Sequence, residues 1–182
     1  TIVGDPVQSS WPDPEEAAAA RQEALSAQRT HRRFTLRTNY RNSAEIFALA
    51  ADAVRDLVPA DELPVAVRTT GVEPTVREVT SEQLPSAVRS AAADLLRAAE
   101  GTVGLITTMA RRDEVREWLS TSDVEDADRL RVVGSLEAKG MEYDAVVVVD
   151  PDGLAAESST GRRALYVALS RATQLLTVLK TA

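Results

Sequence analysis

Two short segments, far apart in the sequence, combine a cation with a side chain that could hold a nucleotide. Tyr40-Arg41 offers an aromatic ring that could stack on a purine and a guanidinium that could reach a phosphate beyond it. Lys139-Gly140 brings a second cation, and Glu142 could accept hydrogen bonds from a ribose hydroxyl. The alternatives are a half-buried tyrosine beside a solvated arginine, and a solvated turn with an incidental ion pair.

Two further residues could act on a phosphate. Arg171 follows an apolar stretch and precedes the last predicted strand, so its charge must point to solvent, a partner or a ligand. The alternative for Arg171 is an interaction with the dipole at a helix C-terminus. Gln8 follows the turn Gly4-Asp5-Pro6 and could orient a water or sense a phosphate, as glutamine does in several nucleoside triphosphatases.

Other parts of a nucleotide-hydrolysing site are missing from the sequence. A phosphate loop requires Gly-x-x-x-x-Gly-Lys-Ser/Thr, and neither Lys139 nor Lys180 stands in that context. An apolar strand ending at Asp150 imitates a magnesium-binding strand, but without a phosphate loop no metal site is predicted. His31 is the single histidine and cysteine is absent, so we expect neither histidine-based catalysis nor thiolate chemistry.

The composition limits the partners and the compartment. The chain of 182 residues has a net charge of −7, whereas a free-standing nucleic-acid-binding domain is usually basic. Tight DNA binding by this chain alone is therefore not expected, although the acidity could simply maintain solubility. The absence of cysteine suits a reducing cytoplasm, and no stretch is long and apolar enough to cross a membrane. We expect a cytoplasmic protein with no membrane partner.

The elements that must position these residues alternate along the chain. The β-branched run at residues 145–149 predicts a strand buried on both faces, and the polar stretch before it is expected at the sheet edge, where α/β proteins place ligands. Further strands are predicted at residues 34–36, 75–79, 103–107, 130–133 and 175–179. Helices are predicted from Pro14 to before Arg32, with Asp13 as N-cap, and up to residue 57 with Ser43 as N-cap. Further helices are predicted at residues 81–99, with the start displaced by Pro85, and at 111–119 and 161–171, with loops at 58–74 and 150–160. This alternation predicts an α/β fold, a mostly parallel sheet with helices on both faces.

Four segments, taken in their order, resemble the second half of the UvrD/Rep-type superfamily 1 helicases. They are residues 4–9, Asn39-Tyr40-Arg41, residues 138–144 and residues 166–172. The resemblance implies a RecA-like fold of the P-loop NTPase type. It also implies that residues 1–33 are a remnant of a first RecA-like domain with its connector, and that residues 34–182 form the second, C-terminal RecA-like domain.

In that family ATP and Mg²⁺ occupy the cleft between the two RecA-like domains, so the resemblance implies catalytic roles. Gln8 matches the coupling glutamine near the γ-phosphate, and Arg41 and Arg171 match two arginine fingers. Such arginines stabilise charge on the transferring phosphoryl group. The phosphate loop and the metal ligands are then expected outside this chain, which alone should be inactive. Its first partner is expected to be the first RecA-like domain of the same protein.

The resemblance also implies a set of cofactor-binding residues. Tyr40 matches the adenine-stacking tyrosine and Glu142 the ribose-binding acid. Lys139 and Gly140 belong to the same matched segment and complete the set.

Two departures from the family pattern point to one of its branches. DNA-tracking members have Thr-x-His where this chain has Gly134 and Leu136, and the aromatic-Arg-Gly-Ala segment expected after Gln8-Ser9 is absent. Residues 67–74 and 143–151 look more like the HelD branch, bacterial ATPases that bind RNA polymerase and release it from nucleic acid. We therefore expect RNA polymerase as a further partner. A conventional 3′–5′ helicase that binds DNA and a non-catalytic partner-docking domain are the alternatives.

Overall fold

The computed structural model describes residues 4–5, 7–9, 11, 13–26, 32, 34–120 and 126–182. In chain order the elements are α1 (Pro14–Ser26), β1 (Thr38–Ser43), α2 (Ala44–Ala53), β2 (Val65–Arg68), β3 (Thr75–Val79), α3 (Leu84–Ala98), β4 (Val103–Thr107), α4 (Arg112–Ser120), β5 (Leu130–Gly134), β6 (Tyr143–Val149), α5 (Pro151–Ala156), α6 (Gly161–Leu169) and β7 (Ala172–Thr181). Residues 1–3 and His31 lie outside the described residues, so the domain remnant predicted at residues 1–33 is described only in part.

Across the described residues the centre of the fold is a five-stranded sheet in the order β3-β7-β6-β4-β5, with every neighbouring pair parallel. Strand β6 is buried on both faces, as its β-branched run predicts. Val146 and Val148 pack into one apolar core, whereas Val147 and Val149 pack into the other. Burial of each of these valines contributes about 1.5–3 kcal/mol. The predicted α/β fold is confirmed.

Helices cover both faces of this sheet. Helices α2, α5 and α6 pack into one core, and α3 and α4 into the other. Helix α3 illustrates why: its buried residues repeat at helical spacing and form a single apolar stripe. They are Leu84, Val88, Ala91, Ala92, Leu95 and Leu96. The helix begins at Leu84 rather than at residue 81 because Pro85 occupies the first turn, where its missing N–H costs no hydrogen bond.

A second, two-stranded sheet pairs β1 with β2 in parallel, Thr38 opposite Val65. It corrects two predictions. Residues 34–36 form no strand, since Phe34 and Leu36 are exposed and the strand begins at Thr38. The stretch 58–74 is not one long loop, because a 3₁₀ turn at Ala60–Glu62 and strand β2 lie within it. The three prolines in that stretch favoured the prediction of a loop, and β2, with only four residues, was too short to be recognised beside them.

The remaining corrections concern element ends. Helix α2 starts after the N-cap Ser43, as predicted, but ends at Ala53. The predicted loop 150–160 contains α5, whose first amides are capped by the Asp150 carboxylate at 2.9 Å from the Gly153 nitrogen. Helix α6 ends at Leu169, and β7 starts at Ala172. Arg171 is therefore not helical.

Asp13 caps α1, as predicted, with its Oδ1 accepting from the Glu15 and Glu16 nitrogens at 2.9 and 3.1 Å. Within the described residues, no helix combines the length and the apolar character needed to span a membrane.

Candidate functional site

The structure brings four of the sequence-predicted residues together at the amino-terminal edge of two central strands: Gln8, Arg41, Glu142 and Arg171. Glu142 directly precedes β6 and Arg171 directly precedes β7, and these strands are parallel neighbours. Open α/β sheets usually bind ligands beyond the carboxyl ends of their strands. This cluster lies at the amino-terminal edge instead, so the general rule for ligand sites in α/β sheets does not predict its position.

Arg41, at the exposed end of β1, forms an ion pair with Glu142. The Arg41 Nε and Glu142 Oε2 atoms are 2.6 Å apart, and both side chains are about half exposed. Exposed pairs of this kind contribute about 0–1 kcal/mol. A ligand with its own charges can therefore replace either partner at little cost.

The ring of Tyr40, the residue before Arg41 in β1, is open to solvent. Tyr40 is 76% exposed, so the alternative interpretation of a half-buried tyrosine is wrong. Because Tyr40 alternates with the inward-facing Asn39 along β1, its ring projects from the opposite side of the strand. An exposed aromatic face at a sheet edge can accept a flat ring by stacking.

Arg171 is oriented inwards rather than towards solvent. It is only 2% exposed, although an arginine is seldom fully buried without partners. Its Nε donates to the Val167 carbonyl and its Nη1 to the Met141 carbonyl, both at 3.0 Å. Its Nη2 donates to Gln8 Oε1 at 3.3 Å and to Ser170 Oγ at 3.2 Å. The charge is thus held by carbonyl and amide oxygens, which no sequence pattern reveals.

Electrostatics around Arg171 reflect this burial. Removal from water lowers the pKa of the Arg171 guanidinium, and the positive charge of Arg41 acts in the same direction. Burial also raises the pKa of the neighbouring Tyr166 phenol to about 12, with Asp5 adding to the effect. The two arginines therefore share one electrostatic environment, which an anion would stabilise.

Gln8 connects this cluster to the start of the described chain. It lies 163 positions before Arg171, yet its Oε1 accepts from that guanidinium. Its Nε2 donates to Asp5 Oδ2 at 2.7 Å, which fixes the orientation of the amide. Gln8 and Lys139 line the same shallow cleft, together with Leu136 and Arg163.

Gly140 allows a backbone turn in the loop between β5 and β6. Its φ is +80°, a left-handed value that favours glycine, and a Cβ added there would meet no atom within 4 Å. The loop between β5 and β6 can therefore turn at this point and deliver Glu142 to the edge of the sheet.

Two residues of the cluster were not found from the sequence. Asn42 is 2% exposed and donates to the carbonyls of Ser170 and Ala172. Arg68, on β2, donates to the carbonyls of Arg41 and Thr173. A polar residue following Arg41 was the available signal for Asn42. Arg68 lay in a stretch interpreted as a loop.

No group of three or more potential metal ligands of the His, Cys, Asp or Glu type occurs among the residues that the structure describes. Asp150, which imitates a magnesium ligand in the sequence, is engaged elsewhere. Its Oδ2 pairs with Arg111 Nη1 at 2.9 Å, and its Oδ1 caps α5.

Part of the chain is similar to a known protein family, and its fold is similar to a solved structure. Residues 134–179 match the family model of the UvrD-like helicase C-terminal domain, and this segment contains Lys139, Glu142 and Arg171. Among solved structures, the chain is similar to the C-terminal domain of a possible DNA helicase from Lactobacillus plantarum WCFS1. That likeness has a TM-score of 0.58 at 21% identity and covers 79% of this chain and 88% of that chain. No curated protein matches the chain. The fold is thus RecA-like, and residues 134–179 resemble the UvrD-like helicase C-terminal domain.

Proposed function

We propose that this chain is the C-terminal half of an ATP-dependent, superfamily 1 helicase-like motor. In this proposal Tyr40 stacks on adenine and Glu142 binds the ribose. Arg41, Arg171 and Gln8 act at the phosphates. The ATP site lies at an interface with a first RecA-like domain. The observation that carries the proposal is the convergence of Gln8, Arg41, Glu142 and Arg171 at one sheet edge. These residues come from four separate segments.

The residues fit ATP in chemistry and in accessibility. The Tyr40 ring is open for stacking, and the exposed Arg41–Glu142 pair offers one cation for phosphate and one carboxylate for hydroxyl groups. Bound Mg²⁺ would neutralise phosphate charge. Its ligands and the phosphate loop are proposed to come from the first RecA-like domain.

Arg171 would act from a fixed position. Its Nε and Nη1 hydrogen bonds to carbonyls are shorter than the Nη2 bonds to Gln8 and Ser170. A phosphate oxygen would therefore replace Gln8 at Nη2 while the other two nitrogens hold the guanidinium in place. Release of the Gln8 side chain from Arg171 would then change the cleft that Gln8 and Lys139 line together, and this change would depend on bound phosphate.

The decisive experiment is the ATPase rate of the full-length protein carrying Arg41→Ala. We expect kcat to fall by about 10³-fold or more, the range found for arginine fingers. Arg97→Ala is the matched control, because Arg97 also pairs with a carboxylate at 2.6 Å on the surface, but on α3 and far from the site. An unchanged rate for Arg41→Ala would favour a non-catalytic docking domain.

We further propose that the motor remodels complexes of RNA polymerase with nucleic acid, as the HelD branch does. Two features support this: the net charge of −7, and the exposure of Leu136 and Met109 beyond the carboxyl ends of β5 and β4. A chain with an excess of negative charge and with exposed apolar side chains suits a protein partner better than a phosphate backbone.

The test of this choice is the ATPase rate of the full-length protein with RNA polymerase and, separately, with single-stranded DNA. Stimulation by polymerase alone would support the proposal. Stimulation by DNA alone would instead identify a conventional 3′–5′ helicase.

A further inference from the structure

We propose that Asn42 is a positioning residue that fixes the strand carrying Arg41 to the segment carrying Arg171. This inference rests on the proposed function and deepens it, because it explains how the guanidiniums of Arg41 and Arg171, which lie on separate elements, are held at a fixed distance from each other. Asn42 contacts neither guanidinium. It acts through the backbone on both sides of Arg171.

The contacts of Asn42 use its whole amide. Its Nδ2 donates to the Ser170 carbonyl at 2.9 Å and to the Ala172 carbonyl at 2.6 Å, the residues on either side of Arg171. Its Oδ1 accepts from Asn39 Nδ2 at 2.9 Å. With 2% exposure, water cannot substitute for these partners, so their loss would leave buried carbonyls unsatisfied.

Asn39 extends this arrangement to Arg41. Its Oδ1 accepts from the Arg41 nitrogen at 2.9 Å and from the Asn42 nitrogen at 3.2 Å. The backbone of β1 around Arg41 is therefore bound to the side chain that Asn42 holds. A continuous path of hydrogen bonds runs from Arg41 through Asn39 and Asn42 to the two neighbours of Arg171.

Arg68 makes a parallel connection at a β-bulge. Tyr143 lies opposite Ala172 and Ala145 opposite Leu175, so β7 contains one more residue than β6 between these pairs. The Thr173 carbonyl in this bulge accepts from Arg68 Nη2, which also donates to the Arg41 carbonyl at 2.7 Å. We call Asn39, Asn42 and Arg68 the β1–β7 clamp.

The clamp is needed because, in the described part of the chain, β1 pairs only with β2. An isolated two-stranded sheet is at best marginally stable. Strand β3 pairs with β7 only from Thr177 to Thr181, which leaves the amino-terminal part of β7 to other partners. Asn42 and Arg68 bind this part of β7 at the Ala172 and Thr173 carbonyls. Through these bonds the clamp sets the distance from Arg41 to Arg171.

The experiment is a double-mutant cycle on ATPase turnover in the full-length protein. Asn42→Asp preserves shape but removes both donors, and we expect kcat to fall about 10- to 100-fold, as for a small misplacement of a reacting group. In an Arg41→Ala background the same change should have little further effect, since the residue it positions is already gone. A general loss of folded protein would instead reduce turnover in both backgrounds alike, and that result would overturn the inference.

Hydrogen exchange of the same proteins supplies a second readout that needs no activity. Asn42→Asp should accelerate exchange of the Arg41 amide and of the Tyr143 amide, which donates to the Arg171 carbonyl. The central amide of Val147 should keep its protection. Unchanged exchange at Arg41 and Tyr143 would overturn the inference.

The matched control is Gln174→Ala. It removes a 2.9 Å amide–carboxylate hydrogen bond to Asp144 at the same end of β7, and this bond involves none of the clamp residues Asn39, Asn42 and Arg68. We expect wild-type turnover. Failure of the proposed function would appear separately, as unchanged turnover in Arg41→Ala.

Discussion

Arg171 is held by acceptors that match the shape of a guanidinium. Three nitrogens of one planar group reach two carbonyls, one amide oxygen and one hydroxyl in different directions. A lysine ammonium is a compact charge on a flexible stem and cannot reach all of them at once. The charge alone is therefore not sufficient at this position.

We accordingly predict that Arg171→Lys lowers both stability and turnover. Leaving the Met141 and Val167 carbonyls unsatisfied should cost about 1–3 kcal/mol of unfolding free energy, measured by urea denaturation. Arg97→Lys, on the exposed surface, serves as the control and should change little. A Lys variant with wild-type stability would show that the guanidinium contacts contribute nothing to the fold.

The candidate residues themselves could be found from the sequence, but their partners could not. Gln8, Arg41, Glu142 and Arg171 have side chains whose chemistry is recognisable without a structure. Asn42 and Arg68 act on backbone carbonyls, which every residue possesses and which no sequence pattern distinguishes. The catalytic and binding roles assigned by resemblance stay predictions.

At the scale of elements, Glu45 connects the first turn of α2 to the loop that follows β2. Its carboxylate accepts from the Thr70 nitrogen at 3.1 Å and from the Gly71 nitrogen at 2.7 Å. Gly71 has a φ of +73°, so the loop depends on a glycine at this point. Hydrogen bonds from its own backbone amide and from Gly71 lower the pKa of Glu45 to about 2.

This lowered pKa predicts a pH-dependent contribution to stability. A depressed carboxyl pKa stabilises the folded state above the unfolded value, 4.5, and the contribution disappears as pH falls towards about 2. The stability difference between wild type and Glu45→Gln should therefore be largest near neutral pH and shrink below pH 4.5. Denaturation curves across this range measure it. A difference that does not vary with pH would contradict the assignment.

For the whole molecule, the proposed function divides the ATP site between two domains. The described residues provide aromatic, carboxylate and guanidinium groups at one edge, and the sequence contains no phosphate loop. The 182-residue chain produced alone should therefore hydrolyse no ATP above background, while the full-length protein does. Phosphate release assays on both proteins test this. Hydrolysis by the chain alone would show that the site is complete without a second domain.

Local sequence was sufficient for the alternation of strands and helices and for the double burial of β6. Both follow from periodicity and from β-branched runs, which are properties of neighbouring residues. It was insufficient for β2, for α5 and for the edge on which the cluster lies. Short elements carry too few residues for a periodic signal, and a sheet edge is defined only once strand order and direction exist. The inward orientation of Arg171 was likewise decided by tertiary structure, because its acceptors come from segments that only folding brings within hydrogen-bonding distance.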